Sequence, residues 1–304
     1  MKYKPVKYKP GPVDVVFDIF IYVFFIAFTV MCVFPIYYIF INTISDNELV
    51  AQGRILFLPR GFHLENYVKV MRLSALPQAL LVSVSRTVIG TSLSVICTAF
   101  VAYVLTKKTL CHRKLVYRFF IVTMYFNAGL IPVYLTMRNL HLYNNFFVYI
   151  IGVISVFNVI LVKTYIESIP ESIEESAAID GAGYLVIFTR LILPLTVPIL
   201  ATIAVFNAVG HWNSFMDTLL YIRNPKLFTL QFLLWQYLNQ ANNLAATLRQ
   251  AVITGDSGFN PATVMTPTSV RMTITIVVTL PVLFVYPFFQ KYFVKGIMIG
   301  AIKG

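Results

Sequence analysis

The sequence predicts an all-α protein that threads a membrane six times, and three observations carry that reading. The 304 residues are 58% hydrophobic with a mean hydropathy of +0.77. Only 12% are charged, half of the roughly 25% usual in soluble domains. Charge-free apolar windows of about 20 residues, the length that crosses a bilayer core as a helix, recur along the chain. Finally, lysine and arginine cluster at alternate ends of those windows, as topology requires.

The spans are expected at about 17–41, 79–105, 117–137, 144–164, 196–219 and 271–291. A further charge-free window, Leu227 to Leu248, holds Gln231, Gln236, Asn239, Gln240, Asn242 and Asn243. That many amides are costly in lipid without internal partners. Its apolar residues step by three or four, so it is expected as an amphipathic helix at the membrane surface or against the bundle.

The amino terminus is expected inside. Fourteen lysines and arginines then fall on inner segments and nine on outer ones, with Arg86 inside a span. The basic tail (Lys2, Lys4, Lys7, Lys9) and the loop KKTLCHRK after the second span weigh most, because short basic loops resist translocation. Both termini are thus expected in the cytoplasm. Residues 1–14 form a cytoplasmic basic tail and 15–304 a single membrane domain. The first apolar run is too long for a signal peptide and lacks a small-residue cleavage site. A net charge of +12 would suit nucleic acid in a soluble protein, but here it flanks spans and meets anionic membrane lipid.

Catalytic chemistry has no visible home. There is no GxxxxGK[ST] phosphate loop, no HExxH, no GxSxG and no CxxC, and the four histidines are spread over separate segments. No metal site is expected, and no cofactor bound by this chain. Cys32, Cys97 and Cys111 fall in two spans and an inner loop, so no disulfide framework is implied.

Between the fourth and fifth expected spans the chain turns acidic, with Glu167, Glu171, Glu174, Glu175 and Asp180. Ser168 to Glu171 has the spacing of an S-x-x-E capping box, and Gly181 and Gly183 follow about three turns later. The expectation is a short stiff helix with a small-residue face (Ala177, Ala178), a glycine hinge, and a second helix over Tyr184–Leu191. Pro194 and Pro198 mark the start of the fifth span. On composition alone a solvated acidic helix would suffice, yet the small face and acidic ends also suit docking into a basic groove on a partner.

The run ESAAIDGA followed after eight residues by LILP resembles the EAA loop of ABC importer permeases, the helix that seats in a cleft of the ATPase subunit. Glu175, Ala177, Gly181 and Pro194 hold its defining positions, with Ser176 in place of the more usual first alanine. LENY (64–67), GLIPVYL (129–135), VGHWNSF (209–215) and YPFFQKYFVKGIMIGAIKG (286–304) extend the resemblance to carbohydrate importer permeases, more narrowly to the branch for complex oligosaccharides and polysaccharide fragments. The resemblance implies the type I ABC importer permease fold in a bacterial cytoplasmic membrane, with a cytoplasmic coupling helix in an EAA loop at 167–195. It further implies a second homologous permease forming a heterodimer, two ATPase subunits carrying the ATP and magnesium, and an extracytoplasmic sugar-binding protein that delivers an oligosaccharide. The coupling residues so implied are Glu174, Glu175, Ala177, Ala178, Asp180, Gly181 and Pro194. A peptide or amino-acid permease of the same superfamily is the alternative. A polytopic enzyme or channel would need ionisable clusters within the spans, where only Arg86 and His211 are visible.

For the translocation pathway the fifth span offers Asn207, His211, Ser214 and Thr218, spaced four, three and four and so expected on one helix face. Trp212 has a ring able to stack on a sugar, about 100° round the helix from His211. Asn127 and Asn158 are further polar candidates in the third and fourth spans, each better explained by helix packing. Arg86 is expected to reach the outer interface or to pair inside the bundle.

Overall fold

The computed structural model describes residues 11–72, 75–126, 128–152, 154–239 and 268–284. These residues are helical wherever they are regular, and they fall into two compact units, the described residues of 11–70 with 268–276 and those of 71–239 with 277–284.

In the first unit, α1 (Pro12–Thr43) is long and apolar enough to cross a membrane, and its apolar stretch is exposed throughout. This is what a lipid-facing helix requires, since no water is there to drive burial. It starts with Pro12 in the first turn, where the missing N–H costs nothing. Burial begins only at Ile41, Asn42 and Thr43. There the Asn66 amide donates to the Thr43 carbonyl at 3.0 Å, and the Thr43 and Tyr67 hydroxyls lie 2.8 Å apart. The LENY stretch thus opens α3 (Glu65–Met71) and fastens it to the end of α1. Between them, Asp46 caps α2 (Asn47–Ala51) by accepting from the N–H groups of Glu48 and Leu49.

The second unit is built on α4 (Ala75–Thr106), 32 residues and so about 48 Å long. Its buried side is a column of small residues, Ala79, Ser83, Gly90, Ser94, Thr98 and Ala102. Small residues let helix backbones approach closely where lipid supplies no hydrophobic drive. Against it pack α7 (Val156–Ile166) and α11 (Val197–Asn213). One core joins Ala99, Ala102, Val159, Val162, Ile187, Phe188, Ile192 and Ile203.

The expected spans differ in continuity. The first two lie within α1 and α4 as unbroken helices. The third is divided between α5 (Arg113–Tyr125) and α6 (Leu130–Asn139), with Gly129 at φ +84° ahead of the second piece. The fourth opens with a single 3₁₀ turn at Phe146–Tyr149 before α7. In the fifth, α11 stops at Ser214, whose ψ of 126° leaves the helical region, and α12 (Met216–Tyr221) restarts after Phe215. The sixth holds a helix over Thr268–Phe284, and its remainder lies outside the described residues. Of the amide-rich window, 230–239 is helical with Leu230, Phe232, Leu233 and Leu234 all buried. That stretch is enclosed on more than one side, where an amphipathic surface helix would bury only one; 240–248 are outside the described residues.

Candidate coupling helix and translocation cavity

The acidic loop folds into α8 (Glu171–Ile179), then α9 (Tyr184–Ile187), which continues through a π-helical turn (Phe188–Ile192) and α10 (Leu193–Leu195). The capping box does not form. Pro170 occupies the cap position, and the Ser168 hydroxyl donates backward to the Tyr165 carbonyl at 2.7 Å. The acid-rich first turn, Glu171 and Glu174, instead faces the positive end of the helix dipole. Termination is as expected: Gly181 adopts φ +84°, and the Ala182 N–H closes onto the Ala177 carbonyl at 3.0 Å. A Cβ at Gly181 would meet nothing within 4 Å, so its conformation and not its space demands glycine. At Thr196 the path bends by 78° into α11, with the Thr196 hydroxyl donating to the Ile192 carbonyl at 2.9 Å.

The predicted coupling residues divide by direction. Ala177 packs on the core formed with α4 and α7. Glu175, Ala178, Asp180 and Pro194 are exposed, as is Ile179 at 86%. Glu174 was expected to face a partner, but it turns inward to an ion pair with Lys107 at the end of α4. The Lys107 ammonium also sits 3.9 Å from the centre of the Tyr103 ring. Two flanking pairs join the same segments: Lys108 to Glu171 at 2.6 Å, and Arg113 to Glu167 at 2.8 Å. The ammonium of Lys108 holds the Glu171 carboxyl below its ordinary range by hydrogen bonding and charge. The KKTLCHRK loop, read from sequence only as a topology signal, is thus also a clasp on α8.

The second polar region lies in the middle of the unit. Arg86 on α4 is 2% exposed and ion-paired with Asp217 of α12, and its guanidinium donates to the Ser214 carbonyl at 3.1 Å. The Ser214 hydroxyl is 2.6 Å from the other Asp217 oxygen, and the guanidinium carbon sits 4.6 Å from the Tyr149 ring centre. Arg86, Asp217 and Tyr149, with Asn207, Gly210 and His211, line a cavity of about 280 Å³. Arg86 Nε and Asn207 Nδ2 are buried there with no hydrogen-bond partner among the described residues. His211 nests against Gly90 of α4, where a Cβ would come within 2.7 Å of the imidazole.

The break at Ser214 decides which pathway candidates meet. Asn207 and His211 share α11 and reach the cavity. Ser214 and Thr218 do not continue that helix face, as their spacing predicted. Ser214 contributes by tying down Asp217, and Thr218 is fully buried between the hydroxyls of Tyr149 at 2.9 Å and Thr229 at 3.1 Å. Trp212 points away: its indole N–H donates to the Val278 carbonyl at 3.1 Å, beside the apolar hollow formed with Leu80 and Val84. Asn158 is buried at 6% exposure in α7, and Asn127 lies outside the described residues. Asp217, Tyr149 and Gly90 were not found from sequence. In the sequence Asp217 directly follows the charge-free run of the fifth span, and that position makes it a natural partner for Arg86.

Residues 111–299 match the family model for the binding-protein-dependent transport system inner membrane component. The polygalacturonan/rhamnogalacturonan transport system permease protein YtcP of Bacillus subtilis (strain 168) is 34% identical over 95% of this chain and 98% of its own length. Protein LplC of the same organism is 34% identical over 95% of each chain. In three dimensions the chain is similar, at a TM-score of 0.82 and 32% identity over 94% of its length and 100% of the other chain, to a chain in the crystal structure of a bacterial ABC transporter involved in the import of the acidic polysaccharide alginate.

Proposed function

Given that this chain belongs to the family of binding-protein-dependent transport system inner membrane components, we propose that it is the permease subunit of an ATP-driven oligosaccharide importer. As a permease it leaves ATP hydrolysis to a partner ATPase and substrate capture to a binding protein. On this reading it forms half of the pathway with a second permease, six spans cross the membrane, both termini are cytoplasmic, and α8 seats in the ATPase.

The observation that carries the coupling role is the division of α8. One side is fixed to α4 by the core contact of Ala177 and by the Lys107–Glu174 pair. The other presents Glu175, Ala178 and the bare side chain of Ile179. An apolar residue so exposed next to a free carboxylate suits a partner groove with an apolar floor and a basic rim. A lever must be stiff to pass motion on. Ending at Gly181 and held by two ion pairs and the Ala177 contact, α8 would carry a displacement of the ATPase into α4 and, through the bend at Thr196, into α11. Those two helices supply Arg86, Asn207 and His211 to the cavity, so the same displacement would open or close the pathway there.

The test is uptake of an oligosaccharide in cells that supply the second permease, the ATPase and the binding protein. Glu175→Lys is expected to abolish uptake and co-purification of the ATPase while leaving the permease inserted. Undiminished uptake and ATPase association in that variant would overturn the coupling reading.

A further inference from the structure

At the end of the second unit away from α8, the end of α6 and the loop after it line a basic hollow, with the loop after α12 tied beside it. We propose that it is a binding subsite for acidic saccharides, taking a uronate carboxylate and its sugar ring; this rests on the reading of the chain as an oligosaccharide permease.

The position follows from contacts within the unit. One end of α4 meets α8 through Lys107, and near its other end the Gln78 side chain donates to the Lys226 carbonyl at 2.9 Å, which places the Arg223–Lys226 loop about 40 Å from the coupling helix along α4. The two loops are stitched together. The Asn144 N–H donates to the Tyr221 carbonyl at 2.8 Å, and the Asn144 side chain accepts from the N–H groups of Arg223 and Asn224 at 3.1 and 2.8 Å. Buried Leu142 anchors the turn, and His141 and Asn144 hold positive φ of 55° and 57°. For residues other than glycine such backbone is uncommon and persists only where the surroundings impose it.

What this fixed turn displays is Arg138, Asn139, His141 and Tyr143, around an open hollow of about 590 Å³. The Arg223 guanidinium lies 5.6 Å from the Tyr143 ring centre. Charge balance makes the site selective. Among the described residues of the second unit, every carboxylate except Asp217 belongs to the 167–180 stretch, and Asp217 is bound to Arg86. Arg138, His141, Arg223 and Lys226 therefore face no carboxylate of their own unit. A guanidinium matches a carboxylate in bidentate geometry, an aromatic ring takes the C–H face of a pyranose, and an amide pairs with its hydroxyls. A basic mouth also concentrates polyanions. Two similar proteins, by their names, handle polygalacturonan and alginate, both acidic.

The experiment uses the complete transporter in lipid nanodiscs and proteoliposomes, with tetragalacturonate and its fully methyl-esterified form as probes. In nanodiscs without the binding protein, Arg138→Gln or Tyr143→Leu is expected to weaken tetragalacturonate binding about tenfold, a loss that high salt reproduces in the unaltered protein. Binding of the ester should not change, and both variants should assemble with the ATPase in normal amount. Unchanged tetragalacturonate binding in both variants would overturn the proposal. So would equal losses of uptake for acid and ester together with weakened attachment of the binding protein, which would make the hollow a protein-docking surface. Failure of the unaltered transporter to import any oligosaccharide would defeat the underlying permease reading instead, and import of neutral saccharides alone would defeat only the acidic subsite.

Discussion

Helix α4 carries two ion pairs of opposite character. Arg86, 3% exposed along its side chain, pairs with Asp217 in the interior; Lys107, at the helix end, pairs with Glu174 where both are about one-fifth exposed. The difference lies in what surrounds each charge. Arg86 has its charge spread over Asp217, the Ser214 carbonyl and the Tyr149 ring and is itself nearly shut off from water, while Asp217 keeps 22% exposure toward the cavity. Desolvation makes such a pair of small net worth, yet removing one partner strands the other in a poor dielectric. Lys107 keeps partial access to water, so its loss is cheaper for folding. What it supplies is position, the distance between α4 and the coupling helix.

That contrast orders the expected effects. Arg86→Met should be the most damaging, about 1–3 kcal/mol, because Asp217 loses its buried partner and keeps only the Ser214 hydroxyl and 22% exposure at the cavity. The pair Arg86→Met with Asp217→Leu should recover most of that loss in thermal unfolding of the detergent-solubilised protein. If the single and double variants unfold alike, the pair is not a desolvated unit. Gly181→Val follows, since a β-branched residue in the left-handed region costs about 1–2 kcal/mol and redirects the chain after α8. Uptake should disappear with insertion retained. Next comes Lys107→Glu, which puts like charge beside Glu174. It should lower uptake far more than thermal stability, and the exchange Lys107→Glu with Glu174→Lys should restore uptake in part. Equal losses of uptake and stability would reduce the clasp to ordinary packing.

The smallest effect is expected at Lys108–Glu171, both well exposed. Lys108→Ala should change stability by less than about 1 kcal/mol, and less still in high salt. The Glu171 carboxyl is held below its ordinary range in the folded state. Its contribution is therefore present above the unfolded carboxylate range and is lost as pH falls through the lower folded value. A stability profile that changed with Lys108→Ala around neutral pH instead would break this assignment.

Much of the molecule could be read in one dimension. The apolar windows gave α1 and α4, and alanines and glycines gave α8 and its stop, because helix propensity and membrane length are local properties. The clasp was half legible: the basic loop was seen, but its partners in the acidic loop lie more than fifty residues away. The cavity was least legible. Asn207 and His211 share one helix and reach the same cavity, as their spacing predicts, whereas Ser214 and Thr218 leave that face because of a break after Asn213, which leaves no strong mark in an apolar run. Asp217 was passed over because its partner lies 131 residues earlier. The Ser168 box failed because Pro170 took the cap and left that hydroxyl to bond backward.

By itself the sequence determined the all-helical membrane class, the length of its first helices and the stiffness of the coupling segment, all set by hydropathy and by residues within a turn or two of one another. Only the tertiary structure decided which charges are shared and which are spent. It directed Glu174 inward and Glu175 outward from adjacent positions, joined Arg86 to Asp217, and turned Trp212 to lie beside an apolar hollow away from the cavity. The physical reason is that a charge in a poorly polarisable interior takes the partner that packing brings within a few ångströms, and packing is a property of the whole chain.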